Sequence, residues 1–106
     1  MKQISPNELH QLIQSDSGNL FLLDVREKWE FDIARLEQSI NIPMSQIPSA
    51  LNELDEEQTI ICICHHGIRS MHVCNYLMQA GFDNVINLTG GIDKWSSDVD
   101  PNVSKY

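Results

Sequence analysis

Thr59-Ile60-Ile61-Cys62-Ile63-Cys64-His65-His66-Gly67-Ile68-Arg69-Ser70-Met71 passes from an apolar run through a short polar turn into a helix. Thr59 to Cys64 is the most strand-like segment of the chain, rich in isoleucine and without polar alternation. A continuous apolar strand of this kind is buried on both faces, the environment of a central strand in a parallel sheet. Beyond the turn, Val73, Leu77 and Ala80 fall on one side of a helix expected over Ser70 to Ala80, and Gly81 suits its C-terminal cap.

The same alternation extends outward in both directions. Toward the N-terminus, Leu20 to Val25 is a second continuous apolar strand. Lys2 to Ile4 reads as a short strand. It feeds a helix in which Ser5 caps, Pro6 occupies the first position and Glu8 completes a capping box. Leu9, Leu12 and Ile13 supply that helix's apolar face, and Gly18-Asn19 ends it. Glu27 to Ile33 predicts a short helix, Ser39 to Ile42 a short strand stopped by Pro43, and Pro48 to Leu54 a helix with Leu51 and Leu54 inward. Toward the C-terminus, Asn84 to Leu88 is a last strand, and Gly90-Gly91 turns into a final helix through Trp95. Five short strands separated by helices imply right-handed crossovers and a mainly parallel sheet covered on both faces. Ligands of such sheets gather at the carboxyl ends of the strands, where Asp24, Cys64 and Thr89 lie.

Composition narrows the function. The 106 residues are enough for one domain, and 42% hydrophobic with 21% charged residues is ordinary for a globular chain. Seven Lys and Arg stand against 15 Asp and Glu, a formal charge of −8, and the basic residues are scattered singly. Nucleic acid and anionic membranes are therefore not expected partners. No apolar stretch reaches membrane-spanning length, and Met1 to Pro6 lacks the apolar core of a leader, so a cytoplasmic location is expected. Cys62, Cys64 and Cys74 are too few for a disulfide framework. In a reducing compartment they are core filler, metal ligands or reactive thiols.

Cys64 is the one with chemistry around it. If the loop His65-His66-Gly67-Ile68 curls around the sulfur, backbone N–H groups at a helix start point at it, an anion site by construction. Arg69 adds positive charge and Ser70 begins the helix. Thiols in such settings ionise in the range of roughly pH 3.5–7.5 instead of about 8.5. Cys62, inside the strand, and Cys74, inside the helix, read as buried core. A zinc or copper site built on Cys62, Cys64, His65 and His66 is disfavoured by spacing. The adjacent histidines diverge, and His10 and His72 are isolated on helices. Only four residues separate Cys64 from Arg69, a ring that suits a sulfur atom and is cramped for the phosphoryl group held by the longer loop of cysteine phosphatases.

Four segments together resemble a single-domain rhodanese, a sulfurtransferase family. Leu22-Leu23-Asp24-Val25-Arg26-Glu27 with Trp29-Glu30-Phe31, then Ser39-Ile40-Asn41-Ile42-Pro43, are similar to the family's N-terminal elements. Cys64-His65-His66-Gly67-Ile68-Arg69-Ser70 is similar to its active-site loop C-x-x-G-x-R-S, and Leu88-Thr89-Gly90-Gly91-Ile92-Asp93-Lys94-Trp95 to its L-x-G-G-x-x-x-W element. The resemblance implies a three-layer α/β/α domain over residues 1–106 with a five-stranded, mainly parallel sheet, residues 98–106 forming an irregular tail. It implies that Cys64 takes a sulfane sulfur from thiosulfate or a persulfide donor and passes it to cyanide or a thiol acceptor, with no metal and no organic cofactor. The loop residues His65 to Ser70 would bind the anionic donor. A protein could serve as donor or acceptor. Asp24 and Arg26 would form a supporting ion pair, and Trp29 and Trp95 would pack. Where the family commonly carries Gly-His, this chain has Ala34-Arg35, which bears on substrate preference. Competing readings are a sulfur-relay or regulatory module that docks a partner without turnover, and a cysteine-based phosphatase or arsenate reductase.

Overall fold

The apolar runs pair into one sheet. A computed structural model describes residues 2–106; Met1, part of the stretch read above for a leader, lies outside the described residues. The strands are β1 (Lys2–Ile4), β2 (Leu20–Asp24), β3 (Ile40–Asn41), β4 (Thr59–Ile63) and β5 (Val85–Leu88). Their spatial order is β1-β5-β4-β2-β3 and every pairing is parallel. The strand that leads to Cys64, β4, is thus central, with Leu23 beside Cys62 on one flank and Asn87 beside it on the other.

Side-chain alternation along β4 builds two cores. Ile60, Cys62 and Cys64 face one layer, where they meet Val73, Cys74 and Leu77 of helix α3 (Ile68–Gln79) and Ile47, Ala50 and Leu54. Ile61 and Ile63 face the other layer with Leu9 of α1 (Pro6–Asp16) and Ile92 and Trp95 of α4 (Gly91–Asp98). A strand covered on both sides has no solvated face, which is why its sequence shows no polar alternation. Cys62 and Cys74 are fully buried, as their positions predicted.

The first helix is capped as its sequence requires: the Ser5 N–H donates to Glu8 Oε1 at 2.9 Å and the Glu8 N–H to Ser5 Oγ at 3.2 Å. Elsewhere the sequence reading is corrected. No α-helix forms over Pro48 to Leu54. Two 3₁₀ turns, Met44–Ser49 and Leu51–Glu53, take its place, because Pro48 has no N–H to donate in mid-helix and the bonds close three residues back, as in Ala50 N–H to Ile47 O at 3.0 Å. Leu54 is nonetheless buried. Helix α3 begins at Ile68, two residues before Ser70, because Gly67 adopts φ = +99° and takes the N-cap position. Helix α4 continues past Trp95 to Asp98. A short helix α2 (Lys28–Ile33) follows β2, with the Glu27–Glu30 capping box at its start. Trp95 packs in the core, but Trp29 is 61% exposed and does not. Among the described residues no helix is long and apolar enough to cross a membrane.

Candidate active site

Cys64 is the first residue beyond β4, at the carboxyl edge of the central strand, and its residue surface is 1% exposed. The chain turns over the sulfur through His65-His66-Gly67 and enters α3. The Gly67 N–H donates to Cys64 Sγ at 3.0 Å, and Ser70 Oγ stands 3.3 Å from the same sulfur. These two are the donors the described residues bring to Sγ, where the sequence reading expected a wider ring of amides.

The loop is held from behind through two of its carbonyls. At the start of α4, the Ile92 N–H donates to Cys64 O at 2.9 Å and the Asp93 N–H to His65 O at 3.1 Å. Those amides belong to a helix's first turn and have no partner within the helix. The approach requires Gly91: at φ = +58°, a Cβ there would collide with both carbonyl oxygens. The Gly90-Gly91 pair is therefore a strand-to-helix turn fitted to the back of the Cys64 loop.

Arg69 does not point at the sulfur. Its guanidinium forms a two-pronged pair with Glu30 of α2, Nη1 to Oε2 at 2.7 Å and Nη2 to Oε1 at 2.8 Å. The hydrogen bonds from Arg69 outweigh the cost of burial and hold the Glu30 carboxyl down at about 2. Arg69's own affinity for its proton is raised by the same contact. The carboxylate also accepts from the Glu27 N–H at 3.0 Å and from the Tyr106 hydroxyl at 2.9 Å. Glu30 thus ties α2, the tail and Arg69 at the start of α3 together.

Asp24 and Arg26 form the ion pair expected of them, both fully buried. Arg26 Nε lies 2.9 Å from Oδ1 and Nη2 2.6 Å from Oδ2. Arg26 Nη1 donates to the Tyr106 hydroxyl at 2.8 Å, and Nη2 also donates to Ala34 O. Ala34 therefore serves through its carbonyl, while the Arg35 guanidinium sits 4.7 Å over the Phe31 ring. Neither touches Cys64.

His65 and His66, expected from sequence to diverge, are stacked instead. Their ring centroids are 4.1 Å apart, and the other face of His65 lies against Tyr106 at 4.0 Å. Burial, then the neighbouring His66, lowers the His65 affinity for a proton. His65, His66 and Asp93 bring ligand-type atoms within 4.8 Å of one another. The near-parallel rings, 14° apart, aim their in-plane lone pairs side by side instead of at one point, and Lys105 Nζ already bonds Asp93 at 3.2 Å, so the trio does not fit a tetrahedral metal. Ile68 of the loop is 66% exposed.

The sequence reading assigned no role to three contributors: Glu30, Tyr106 and Asn87. Asn87 of β5 is 1% exposed, accepts from the Ser70 hydroxyl and donates to Gly67 O at 3.1 Å. A polar residue in a buried strand was the available signal for Asn87.

Comparison with known proteins bears on the chain's family and fold. Residues 5–98 match the family model described as Rhodanese-like domain. The putative sulfurtransferase YtwF of Bacillus subtilis (strain 168) is 38% identical over 101 residues, covering 95% of this chain and 96% of that protein. Thiosulfate sulfurtransferase GlpE of Actinobacillus pleuropneumoniae serotype 3 is 29% identical, covering 88% of this chain and 84% of its own. The crystal structure of a rhodanese-like domain protein from Staphylococcus aureus superposes with a TM-score of 0.85 at 29% identity, over 100% of this chain and 99% of that one.

Proposed function

This chain belongs to the rhodanese-like domain family, whose relatives include sulfurtransferases, and from that premise we propose that Cys64 is a sulfur-carrying nucleophile. The Cys64 thiolate attacks the sulfane sulfur of a donor such as thiosulfate. An S–S bond forms at Sγ, the donor's S–S bond breaks, and sulfite leaves with the electron pair. The Cys64 persulfide then gives its outer sulfur to cyanide or to a thiol, regenerating the thiolate. No metal or organic cofactor enters the scheme.

The observation that carries this reading is the pair of donors on Sγ, Gly67 N–H at 3.0 Å and the Ser70 hydroxyl at 3.3 Å, at the floor of a short loop. The same loop supports sulfur chemistry over phosphoryl or arsenate chemistry. Four residues separate Cys64 from Arg69, a ring that suits a sulfur atom and crowds a phosphoryl or arsenate group. Asp24 and Arg26 act as a buried brace that reaches the Cys64 loop through Tyr106, which stacks on His65, and His65 to Ser70 form the loop's wall.

A protein donor or acceptor is favoured by one further observation: Trp29 and Ile68, at 61% and 66% exposure, are apolar side chains beside the site left open to solvent. The test is turnover of thiosulfate and cyanide by wild type and Cys64→Ala, with intact-mass measurement after thiosulfate. Gain of one sulfur atom, mapped to Cys64 and lost in Cys64→Ala, is expected. Equal turnover in the two proteins, or no sulfur on Cys64 from any sulfane donor, overturns the proposal. A reducing compartment such as the cytoplasm suits the reduced thiol that this reading requires.

A further inference from the structure

We propose that Asn87 is a positioning residue that decides where the single proton of the Ser70 hydroxyl goes, and through it how well the unloaded Cys64 sulfur is stabilised as an anion. The proposal rests on the reading of Cys64 as the sulfur carrier.

Cys64, Ser70 and Asn87 are all buried, with 1%, 0% and 1% of their surface exposed. Asn87 Nδ2 donates to Gly67 O at 3.1 Å and reaches Gln3 Oε1 at 3.5 Å. A peptide carbonyl only accepts, so this contact fixes the orientation of the amide and turns Oδ1 toward Ser70. Ser70 Oγ lies 2.5 Å from that oxygen and 3.3 Å from Cys64 Sγ. A hydroxyl has one proton and cannot donate to both.

The conflict depends on the state of the sulfur. With a neutral thiol, the S–H donates to Ser70 Oγ and the Ser70 O–H donates to Asn87 Oδ1, and every group is satisfied. When the thiol proton leaves for solvent, the thiolate calls for the Ser70 proton as its second donor after Gly67. Turning that proton to sulfur leaves Asn87 Oδ1 buried without a donor, which is costly. Loading removes the conflict. Once Sγ is bonded to a transferred sulfur, the outer atom carries the charge, and the Ser70 proton returns to Asn87. Asn87 therefore withholds from the free thiolate a stabilisation that the persulfide does not need. The free thiolate stays reactive and loading is favoured.

Two substitutions pull in opposite directions. Asn87→Ala removes the competing acceptor and releases Ser70 to the sulfur. Asn87→Asp keeps an acceptor there, strengthens it with charge, and gives up the donor to Gly67 O. The readout is the ultraviolet absorbance of the Cys64 thiolate along a pH titration, with Cys64→Ala as the blank and circular dichroism to verify folding. Asn87→Ala should raise the ionised-to-neutral ratio at fixed pH by roughly threefold to tenfold, and Asn87→Asp should lower it. In a Ser70→Ala background the Asn87→Ala effect should vanish. At a pH where Cys64 is fully ionised in both proteins, sulfur loading from thiosulfate by Asn87→Ala should show a lower kcat with KM little changed, because the better-stabilised thiolate is the weaker nucleophile. Shifts of the same sign in both variants, or an Asn87→Ala shift that persists without Ser70, overturn the proposal. The titration does not depend on sulfur transfer, so a wild type that carries no sulfur would defeat the proposed function and leave this question still decided by the absorbance.

Discussion

The ring of Tyr106 lies flat on the ring of His65, 4.0 Å between centroids and 13° from parallel. One partner belongs to the tail and the other to the loop that covers Cys64. The tail segment is anchored on its own: Ser96 Oγ donates to Val103 O at 2.7 Å, and Lys105 Nζ reaches Ser97 Oγ at 2.7 Å and Asp93 Oδ1 at 3.2 Å. The tail is therefore irregular in backbone but built into the site, where its phenol bridges Arg26 and Glu30.

Separating the stack from the hydroxyl should give graded losses. Tyr106→Phe keeps the ring on His65 and deletes contacts to two charged groups, a loss of about 1–2 kcal/mol. Tyr106→Ala also deletes the aromatic contact, a further loss of about 0.5–1.5 kcal/mol. Urea unfolding should rank wild type, Phe and Ala in that order, and sulfur loading at Cys64 should fall in the same order. Equal stability of all three proteins would show that the tail merely rests on the loop.

Acid should loosen the site through Glu30. Its folded-state value of about 2 lies below the ordinary value of 4.5 because of the Arg69 hydrogen bonds. A carboxylate with a lowered value contributes stability that is complete above the unfolded value and is lost as pH falls from about 4.5 through about 2. Glu30→Gln should cost about 2–3 kcal/mol at neutral pH and should flatten the acid limb of stability in that window. Denaturation of both proteins at about pH 7, 4.5 and 3 checks it; parallel acid limbs would mean that the Arg69–Glu30 pair is not what fails in acid.

The parts of this molecule that were legible in its sequence are those written in local pattern. The continuous apolar run of β4 announced a central strand, and Ser5, Pro6 and Glu8 announced a helix start, because each depends on residues a few positions apart. Cys64, Gly67 and Ser70 were legible as a group because their spacing wraps a strand-to-helix turn around the sulfur, and the structure brings Gly67 N–H and Ser70 Oγ to Cys64 Sγ. Arg69 was legible as a loop residue but not as the partner of Glu30, which lies 39 positions away, and nothing local marks a contact such as Arg26 to Tyr106 across 80 positions. Trp29 was misread for the same reason. An apolar side chain beside a site has the same letter whether it packs inward or faces solvent.

The three thiols should separate cleanly by reactivity. Cys62 is pushed up by its hydrogen bond with Cys74 and by burial, so it stays protonated in the folded protein. Thiosulfate should load Cys64 alone, and Cys62→Ala or Cys74→Ala should retain loading while losing about 1–3 kcal/mol of stability from the vacated core volume. Peptide mapping that places sulfur on Cys62 or Cys74 in the folded protein would contradict this assignment.

Gly91 offers the most local test of how the loop is held. An alanine there would drive its Cβ into Cys64 O and His65 O, both backbone atoms that cannot swing away, at φ = +58° where a Cβ is already disfavoured. The first turn of α4 would have to retreat, and Ile92 and Asp93 would lose their carbonyl partners. Gly91→Ala should cost about 2–5 kcal/mol and reduce loading of Cys64 by more than its loss of folded protein explains, because the released carbonyls can turn toward the sulfur. Gly18 is the control, since a methyl group there would meet open space to 4 Å and its φ is not positive. Gly18→Ala should change stability by less than about 1 kcal/mol and leave loading intact. Equal behaviour of the two variants in thermal unfolding and in mass-detected loading would mean that the close approach of α4 does not hold the loop in shape.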